Sequence, residues 1–265
     1  MTAAPLLDLT GHPIIAHRGA SGTAPENTIA AFDRARDLGV DGFELDIRLS
    51  ADGLAVVHHD ATLDRTTDGS GPLAHRSLAE LERVDAGARF TTDGREFPFR
   101  ARGVGIPTLR QVLDRYPDTP LLIELKVPEA APVVRDELLR AGAANRAVVA
   151  SFLAEAVTLF HQPPFLAGAS RRDIVSLFWR ALVGLPVDRG ARLYAVPVRY
   201  RGRLPVPTRR FVAAARRLGR PVHVWTVDDV ATAERLWNNG CAGMISNHPE
   251  LLLPARNRRF GAPTG

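Results

Sequence analysis

The chain has 265 residues, of which 45% are hydrophobic and 24% are charged, a composition that excludes a disordered or fibrous protein. Its single cysteine, Cys241, excludes a disulfide framework and a zinc site built from thiolates. The formal net charge is +5, but the basic residues are spread along the chain and only 6% of residues are aromatic, which disfavours nucleic-acid binding.

One basic residue differs in type from all the others. Lys126 is the only lysine, and every other basic side chain is an arginine. A compact ammonium group and a planar guanidinium group are not interchangeable where a binding site requires one of them. Lys126 is therefore a candidate functional residue.

The N-terminal segment lacks the apolar stretch of a secretory signal, because Asp8, His12 and Arg18 interrupt it. We therefore expect a cytoplasmic protein. The sequence contains no pattern that predicts an oligomeric state.

Eight short apolar runs along the chain predict β-strands. They span residues 13–17, 42–49, 121–126, 147–152, 165–169, 193–198, 222–227 and 243–246. Eight strands that alternate with helices favour a parallel (β/α)₈ TIM barrel over a doubly wound sheet, for which the glycine-rich phosphate loop is missing. We expect residues 1–265 to form a single α/β domain.

Four helical stretches have recognisable ends. A helix at 28–38 stops at Gly39, Thr108 caps one at 109–116 before Pro117, Pro207 opens one that runs to 218, and Asp228 or Asp229 caps one that ends at 238–240. These boundaries place a helix after several of the predicted strands, as the barrel requires.

One segment breaks the alternation of strands and helices. Asp52-Gly53 separates the second strand from residues 54–59, so we expect a hairpin whose second run returns antiparallel. Residues 60–107 are then polar and rich in Gly, Thr and Asp. Because long irregular loops are uncommon in compact domains, we expect a small insertion over the catalytic end of the barrel.

Polar residues follow the predicted barrel strands where each strand ends. His17 ends the first strand, Glu44 and Asp46 share one face of the second, and Glu124 and Lys126 share one face of the third. The hairpin returns His59 and Asp60 to the same region. Since the active sites of barrels lie at the carboxyl ends of their strands, these groups are expected to converge.

The predicted cluster favours hydrolysis at phosphorus. Three carboxylates without cysteine describe a site for Mg²⁺ or Ca²⁺. Two histidines beside them can transfer protons, and Arg18 and Lys126 can bind an anion. The alternative is structural: the carboxylates would pair with Arg48 or Lys126 as buried ion pairs.

The chain resembles the glycerophosphodiester phosphodiesterases, a family of the phospholipase C-like TIM-barrel superfamily. The resemblance covers residues 17–252 and rests on seven motifs in order: His17-Arg18-Gly19, Pro25-Glu26-Asn27-Thr28, Glu44-Leu45-Asp46, the run 59–67 that begins His59-Asp60, Glu124-Leu125-Lys126, Val224-Trp225-Thr226-Val227 and Ser246-Asn247-His248-Pro249. Each motif alone is weak, but the ordered set is specific.

The resemblance implies metal-dependent hydrolysis of glycerophosphodiesters to sn-glycerol 3-phosphate and an alcohol. By position, one divalent cation, Mg²⁺ or Ca²⁺, would be held by Glu44, Asp46 and Glu124. His17 and His59 would be the acid–base pair, Arg18 and Lys126 would hold the phosphate, and Trp225 would pack on the glycerol. The attacking group would be either water or the neighbouring hydroxyl of the glycerol.

Several neighbouring residues are expected to be structural. His58 should face away from His59, and Asn247 and His248 should set a turn before Pro249. Glu26 and Asn27 either only fix the loop after the first strand or, as we favour, support the site residues from behind. Arg18 alternates with His17, so it reaches the phosphate only if the backbone turns at Gly19. Trp225 has a second interpretation, as a core residue at the rim of the barrel.

Residues 174–185 are apolar on all sides. Ile174, Leu177, Phe178, Ala181, Leu182 and Leu185 form one stripe, and Val175, Trp179 and Val183 lie opposite. The segment is too short to span a bilayer, so it is either an outer barrel helix under a loop or a lid in peripheral contact with lipid. The second interpretation favours lysophospholipid substrates, hydrolysed as by a lysophospholipase D. A function of a different class also remains open, in which the barrel binds anionic phosphoesters without catalysing a reaction.

Overall fold

The computed structural model describes residues 4–183 and 190–262. Its strands are β1 (Ile14–His17), β2 (Gly42–Leu49), β3 (Ala55–Val57), β4 (Leu121–Leu125), β5 (Ala147–Ala150), β6 (Leu166–Ala167), β7 (Tyr194–Pro197), β8 (Arg199–Tyr200), β9 (Leu204–Pro205), β10 (Val222–Trp225) and β11 (Gly243–Ser246). Its α-helices are α1 (Ala4–Leu7), α2 (Ile29–Asp37), α3 (Leu78–Leu81), α4 (Leu109–Arg115), α5 (Ala130–Arg140), α6 (Arg171–Val183), α7 (Arg209–Arg217), α8 (Val230–Asn238) and α9 (Pro249–Phe260). Leu73–His75 and Ala154–Phe160 are 3₁₀ helices.

Eight of the described strands form a parallel barrel, which confirms the predicted fold. The sheet runs β6-β5-β4-β2-β1-β11-β10-β7. Two backbone hydrogen bonds join the ends of this path, from Arg192 N to Ala167 O at 2.7 Å and from Ala169 N to Leu193 O at 2.9 Å. The first strand therefore lies between the second and the last strand of the chain, as in a closed (β/α)₈ barrel.

The interior of the barrel is filled by side chains from alternate positions of its strands. Ile15, Leu122, Val148 and Ile245 pack together there with Leu6 of α1. Larger apolar clusters lie between the strands and the outer helices. Because the interior is closed by apolar residues, the polar residues that follow them on the same strand faces are left at the carboxyl ends.

Side-chain caps fix the start of several helices. Thr28 accepts a hydrogen bond from Ala31 N, and Thr108 accepts one from Gln111 N. The predicted start at Pro207 is wrong: α7 begins at Arg209, because the side chain of Thr208 supplies the cap. Of the two candidate aspartates before α8, Asp229 is the cap.

The predicted hairpin is present, with β3 antiparallel to β2 and Gly53 at φ +77° in the turn. The segment 60–107 that follows contains a 3₁₀ helix and α3. Its apolar side chains Leu63, Leu73 and Ile106 pack with Val56 of β3. A small apolar cluster thus attaches the segment to the second barrel strand.

The apolar segment 174–185 is described as far as Val183, where α6 ends, and Leu185 lies outside the described residues. Helix α6 packs against α7 and buries Leu177. On another side, Val175 is 47% exposed and Trp179 is 63% exposed. None of the helices in residues 4–183 and 190–262 is both long and apolar enough to cross a membrane.

Candidate active site

The register of the barrel brings the predicted acidic residues together. His17 on β1 stands level with Glu44 on β2, and Asp46 on β2 stands level with Glu124 on β4. Residues two apart on a strand share a face, so these side chains all point into the same end of the barrel. The convergence thus follows from strand spacing and pairing register.

One oxygen from each of Glu44, Asp46 and Glu124 lies within 4.8 Å of the others. Asp46 is fully buried and Glu44 is 5% exposed. Burial, together with the charges of Asp46 and Glu124, raises the pKa of Glu44 well above its usual value. A donor set of carboxylate oxygens at this spacing fits a hard divalent cation, which would relieve the repulsion between them.

Lys126 lies directly beside two of these carboxylates. Its Nζ is 2.8 Å from Asp46 Oδ1 and 2.8 Å from Glu124 Oε1. Burial alone would lower the pKa of Lys126, but the charges of Asp46 and Glu124 outweigh it and the pKa is raised. The side chain is therefore a fixed ammonium group at the edge of the acidic cluster.

Arg18 enters the site because the backbone turns sharply. Its φ is +57°, and Gly19 follows at φ +80°, where a Cβ would come within 2.6 Å of Ala31. Consequently Arg18 lies beside His17 rather than opposite it. Its Nε is 3.1 Å from Asp46 Oδ2, and its Nη1 donates to Glu26 Oε1 at 2.9 Å.

His17 is held by a pair of residues near the end of the barrel. Its Nδ1 is 2.7 Å from Asn247 Oδ1, while its Nε2 is 3.9 Å from Glu44 Oε2. The Nδ2 of Asn247 donates to Asp228 Oδ2 at 2.8 Å, which directs its Oδ1 towards His17. An amide oxygen in that position accepts from a protonated Nδ1 and leaves Nε2 directed at the site.

His59 is held differently, by a carboxylate. Its Nδ1 is 2.6 Å from Asp60 Oδ1. Although burial opposes the change, hydrogen bonds from Arg65 and His59 hold the pKa of Asp60 below its usual value. Arg65 also donates to both oxygens of Glu26, at 2.7 Å each. Asp60, Arg65 and Glu26 therefore connect His59 to the Arg18 side of the site.

The site opens into a pocket of about 130 Å³. Of the predicted site residues, the pocket is lined by His17, Arg18, Glu44, His59, Glu124, Lys126 and Trp225, with Asp46 buried beside them. Trp225 forms an apolar wall with Phe152, their ring centroids 6.0 Å apart. The arrangement combines an acidic cluster, two cations and two histidines in one small cavity.

The structure adds roles that the sequence analysis did not assign. Asn247 does more than set a turn, because its side chain contacts His17, and Asp228 orients it. Asn27, for which the sequence already favoured a supporting position, donates to Asp46 Oδ2 at 2.8 Å. His58, by contrast, is buried with its Nε2 3.1 Å from Thr62 O, away from the pocket lining. Asn247 belongs to the motif Ser246-Asn247-His248-Pro249, but its contact with His17 follows from the pairing of β11 with β1, which the sequence does not specify.

Comparisons with known proteins agree with this geometry. Residues 17–251 match the model of the glycerophosphoryl diester phosphodiesterase family. The chain is 32% identical to a glycerophosphodiester phosphodiesterase of Caldanaerobacter subterraneus, over 91% of this chain and 96% of that protein.

Solved structures show the same fold. A glycerophosphoryl diester phosphodiesterase domain from Mycobacterium tuberculosis superposes with a TM-score of 0.81 at 26% identity, covering 93% of this chain and 99% of that one. A phosphodiesterase from Oleispira antarctica, solved with its product sn-glycerol 3-phosphate, gives a TM-score of 0.77 at 28% identity, covering 97% and 100%.

Proposed function

Because the chain belongs to the glycerophosphoryl diester phosphodiesterase family and is an enzyme of that class, we propose that it cleaves glycerophosphodiesters at a metal centre with a pair of histidines. The products would be sn-glycerol 3-phosphate, as bound by the Oleispira relative, and an alcohol. The observation that carries the proposal is the carboxylate cluster, which shares one pocket with His17 and His59. Residues 1–265 would form one such domain, with an insertion at about 60–107.

Glu44, Asp46 and Glu124 would hold one divalent cation, Mg²⁺ or Ca²⁺. When bound, the cation acts as a Lewis acid that polarises the phosphoryl oxygens and offsets the charge that develops on them. Asn27 supports this set by holding Asp46 through its Nδ2. The three carboxylates are thus positioned by the strands and by a neighbouring amide.

Arg18 and Lys126 would bind the phosphate oxygens. Both cations already pair with Asp46, so their heads are held in place before an anion arrives. Trp225, on the apolar wall, would pack against the carbon atoms of the glycerol. Substrate position would then be set by two charges and one aromatic face.

His17 would act as the general base. Burial and the charge of Arg18 lower its pKa, which favours the neutral imidazole that can accept a proton. The hydrogen bond to Asn247 leaves Nε2 as the accepting atom. Nε2 would take the proton of the attacking oxygen, which belongs either to water or to the neighbouring hydroxyl of the glycerol.

His59 would act as the general acid. Asp60 lies 2.6 Å from its Nδ1 and fixes the ring, so that Nε2 would give a proton to the departing alcohol. The two histidines thus differ in partner, an amide for one and a carboxylate for the other. This difference matches the opposite directions in which they would move a proton.

Release of glycerol 3-phosphate from glycerophosphocholine tests the function. We expect turnover with Mg²⁺ or Ca²⁺ and none after EDTA, with recovery when the metal is returned.

Glu44→Gln keeps an oxygen donor but removes a charge, so metal affinity should fall about tenfold or more, ~1.4 kcal/mol. Titration calorimetry and the metal-induced rise in Tm measure this change. The matched control is Glu234→Gln on α8, which should bind metal like the wild type. Turnover that persists in EDTA would contradict the metal centre.

Asn247→Ala should lower kcat by about 10- to 100-fold, because His17 loses the acceptor that fixes its ring. Asp228→Asn should have a smaller effect in the same direction, since it weakens the support of Asn247 but leaves the amide itself in place. The control is the neighbouring His248→Ala, whose ring contacts Glu250 rather than His17. Steady-state kinetics should show the loss in kcat rather than in KM. An Asn247→Ala protein with wild-type kcat would exclude this positioning role.

A further inference from the structure

An apolar groove runs beside the active-site pocket. It has a volume of about 570 Å³, and its lining includes Phe152, Val175, Phe178, Trp179, Leu204 and Trp225. Val175, Trp179 and Leu204 are 47%, 63% and 48% exposed. Large apolar side chains that share one exposed concave surface mark a binding site more often than scattered ones do.

The groove is continuous with the pocket. Phe152, Ile174 and Trp225 line both cavities. A molecule whose phosphate lies between Arg18 and Lys126 can therefore pass along Trp225 into the groove without leaving the protein surface. This continuity points to a ligand that is part of the substrate rather than a separate partner.

The charges around the groove favour an amphiphilic anion. Arg171, Arg199 and Arg201 belong to its lining, and its described lining residues include no acidic side chain. Arg171 is fixed by a hydrogen bond to the hydroxyl of Tyr200 at 2.7 Å. Positive charge beside an apolar surface attracts an anionic phosphate ester that carries a hydrocarbon chain.

We propose that this groove binds the acyl chain of a lysophospholipid, so that the enzyme hydrolyses 1-acyl glycerophosphodiesters as well as unacylated ones. The inference rests on the proposed function. The oxygen of water forms the new bond to phosphorus and the bond from phosphorus to the headgroup oxygen breaks. The headgroup oxygen takes up a proton, which gives 1-acylglycerol 3-phosphate and a free alcohol.

The first test is a series of lysophosphatidylcholines with stepwise longer acyl chains, each used below its micelle-forming concentration. Full burial of a methylene group would raise affinity about fourfold, and an open groove should give about twofold per methylene. We therefore expect kcat/KM to rise steadily above that for glycerophosphocholine. If kcat/KM is independent of chain length while glycerophosphocholine is hydrolysed normally, the acyl-chain site is overturned and the proposed function is unaffected.

The second test uses matched variants. Leu204→Asp and Val175→Asp place a charge in the groove and should abolish the dependence on chain length, with glycerophosphocholine turnover unchanged. Leu251→Asp on α9 and Leu139→Asp on α5 alter side chains of the same exposure, 48% and 45%, outside the groove lining, and should keep the dependence. Groove variants that retain the full dependence would overturn the proposal.

Binding measured without turnover separates the two proposals. Calorimetry of His59→Ala protein with the same lipids should show affinity that rises with chain length even if no lipid is hydrolysed. Chain-dependent binding by a wild type that hydrolyses neither these lipids nor glycerophosphocholine would count against the proposed function alone. Hydrolysis of glycerophosphocholine without hydrolysis of the bound lipids would overturn the extension to 1-acyl substrates. Co-sedimentation with phosphatidylcholine vesicles that depends on the groove, without chain-dependent binding of monomeric lipid, would instead identify a membrane-contact surface and overturn the acyl-chain site.

Discussion

His59→Ala is expected to lower kcat for glycerophosphocholine by about 1,000-fold, the middle of the range for loss of a general acid. The choline oxygen is a poor leaving group and needs the proton that His59 would deliver. A substrate with an activated leaving group, such as a p-nitrophenyl ester, should lose far less. Kinetics with both substrates therefore tests the direction of proton transfer as well as the need for the residue.

The neighbouring histidine provides the control for this experiment. His58 is buried and its Nε2 is 3.1 Å from Thr62 O, so His58→Gln should alter Tm more than kcat. Circular dichroism and thermal unfolding would show whether each variant folds. Equal losses of kcat for both leaving groups in His59→Ala would contradict the assignment of His59 as the acid.

Lys126→Arg should lower kcat/KM by about 100-fold or more although the charge is preserved. The Nζ of Lys126 fits between Asp46 and Glu124 at 2.8 Å from each. A guanidinium group is wider and donates along fixed directions, so it would push the carboxylates apart or leave the phosphate unpaired. The loss should appear with both Mg²⁺ and Ca²⁺.

A conservative change elsewhere serves as the comparison. Arg115→Lys on α4 exchanges the same two residue types in an exposed pair with Asp33, and its kcat/KM should stay close to that of the wild type. The Tm of Lys126→Arg should remain close to the wild-type value because the side chain lies at the edge of the cavity. Wild-type activity in Lys126→Arg would show that a positive charge alone suffices there.

The barrel could be predicted because apolar runs and helix ends are local signals. Glu44 with Asp46, and Glu124 with Lys126, could be placed on one face by counting along a strand. The start of α7 could not be decided from the sequence, because both Pro207 and Thr208 are plausible at a helix start. Only the hydrogen bond that Phe211 N donates to the side chain of Thr208 distinguishes them. Such a choice depends on side-chain geometry rather than on residue type.

Contacts between distant segments could not be predicted in the same way. Asn247 and Arg65 both stand in the sequence motifs, yet their partners, His17 and Glu26, come from strands and loops far along the chain. The turn at Arg18 depends on a positive φ that its sequence does not require. Tertiary pairing, rather than local preference, thus decides how the histidines are oriented.

Because the barrel closes through its last strand, the contact that orients His17 can form only after the end of the chain has been synthesised. His17 and Asn247 are 230 residues apart and meet only because β11 pairs with β1. Contacts of such long range form late, after the entropy of closing the whole chain has been overcome. A nascent chain that still lacks β11 would carry His17 without the amide that fixes its ring. The orientation of His17 that the proposed mechanism requires would therefore be reached only once the last strand has docked.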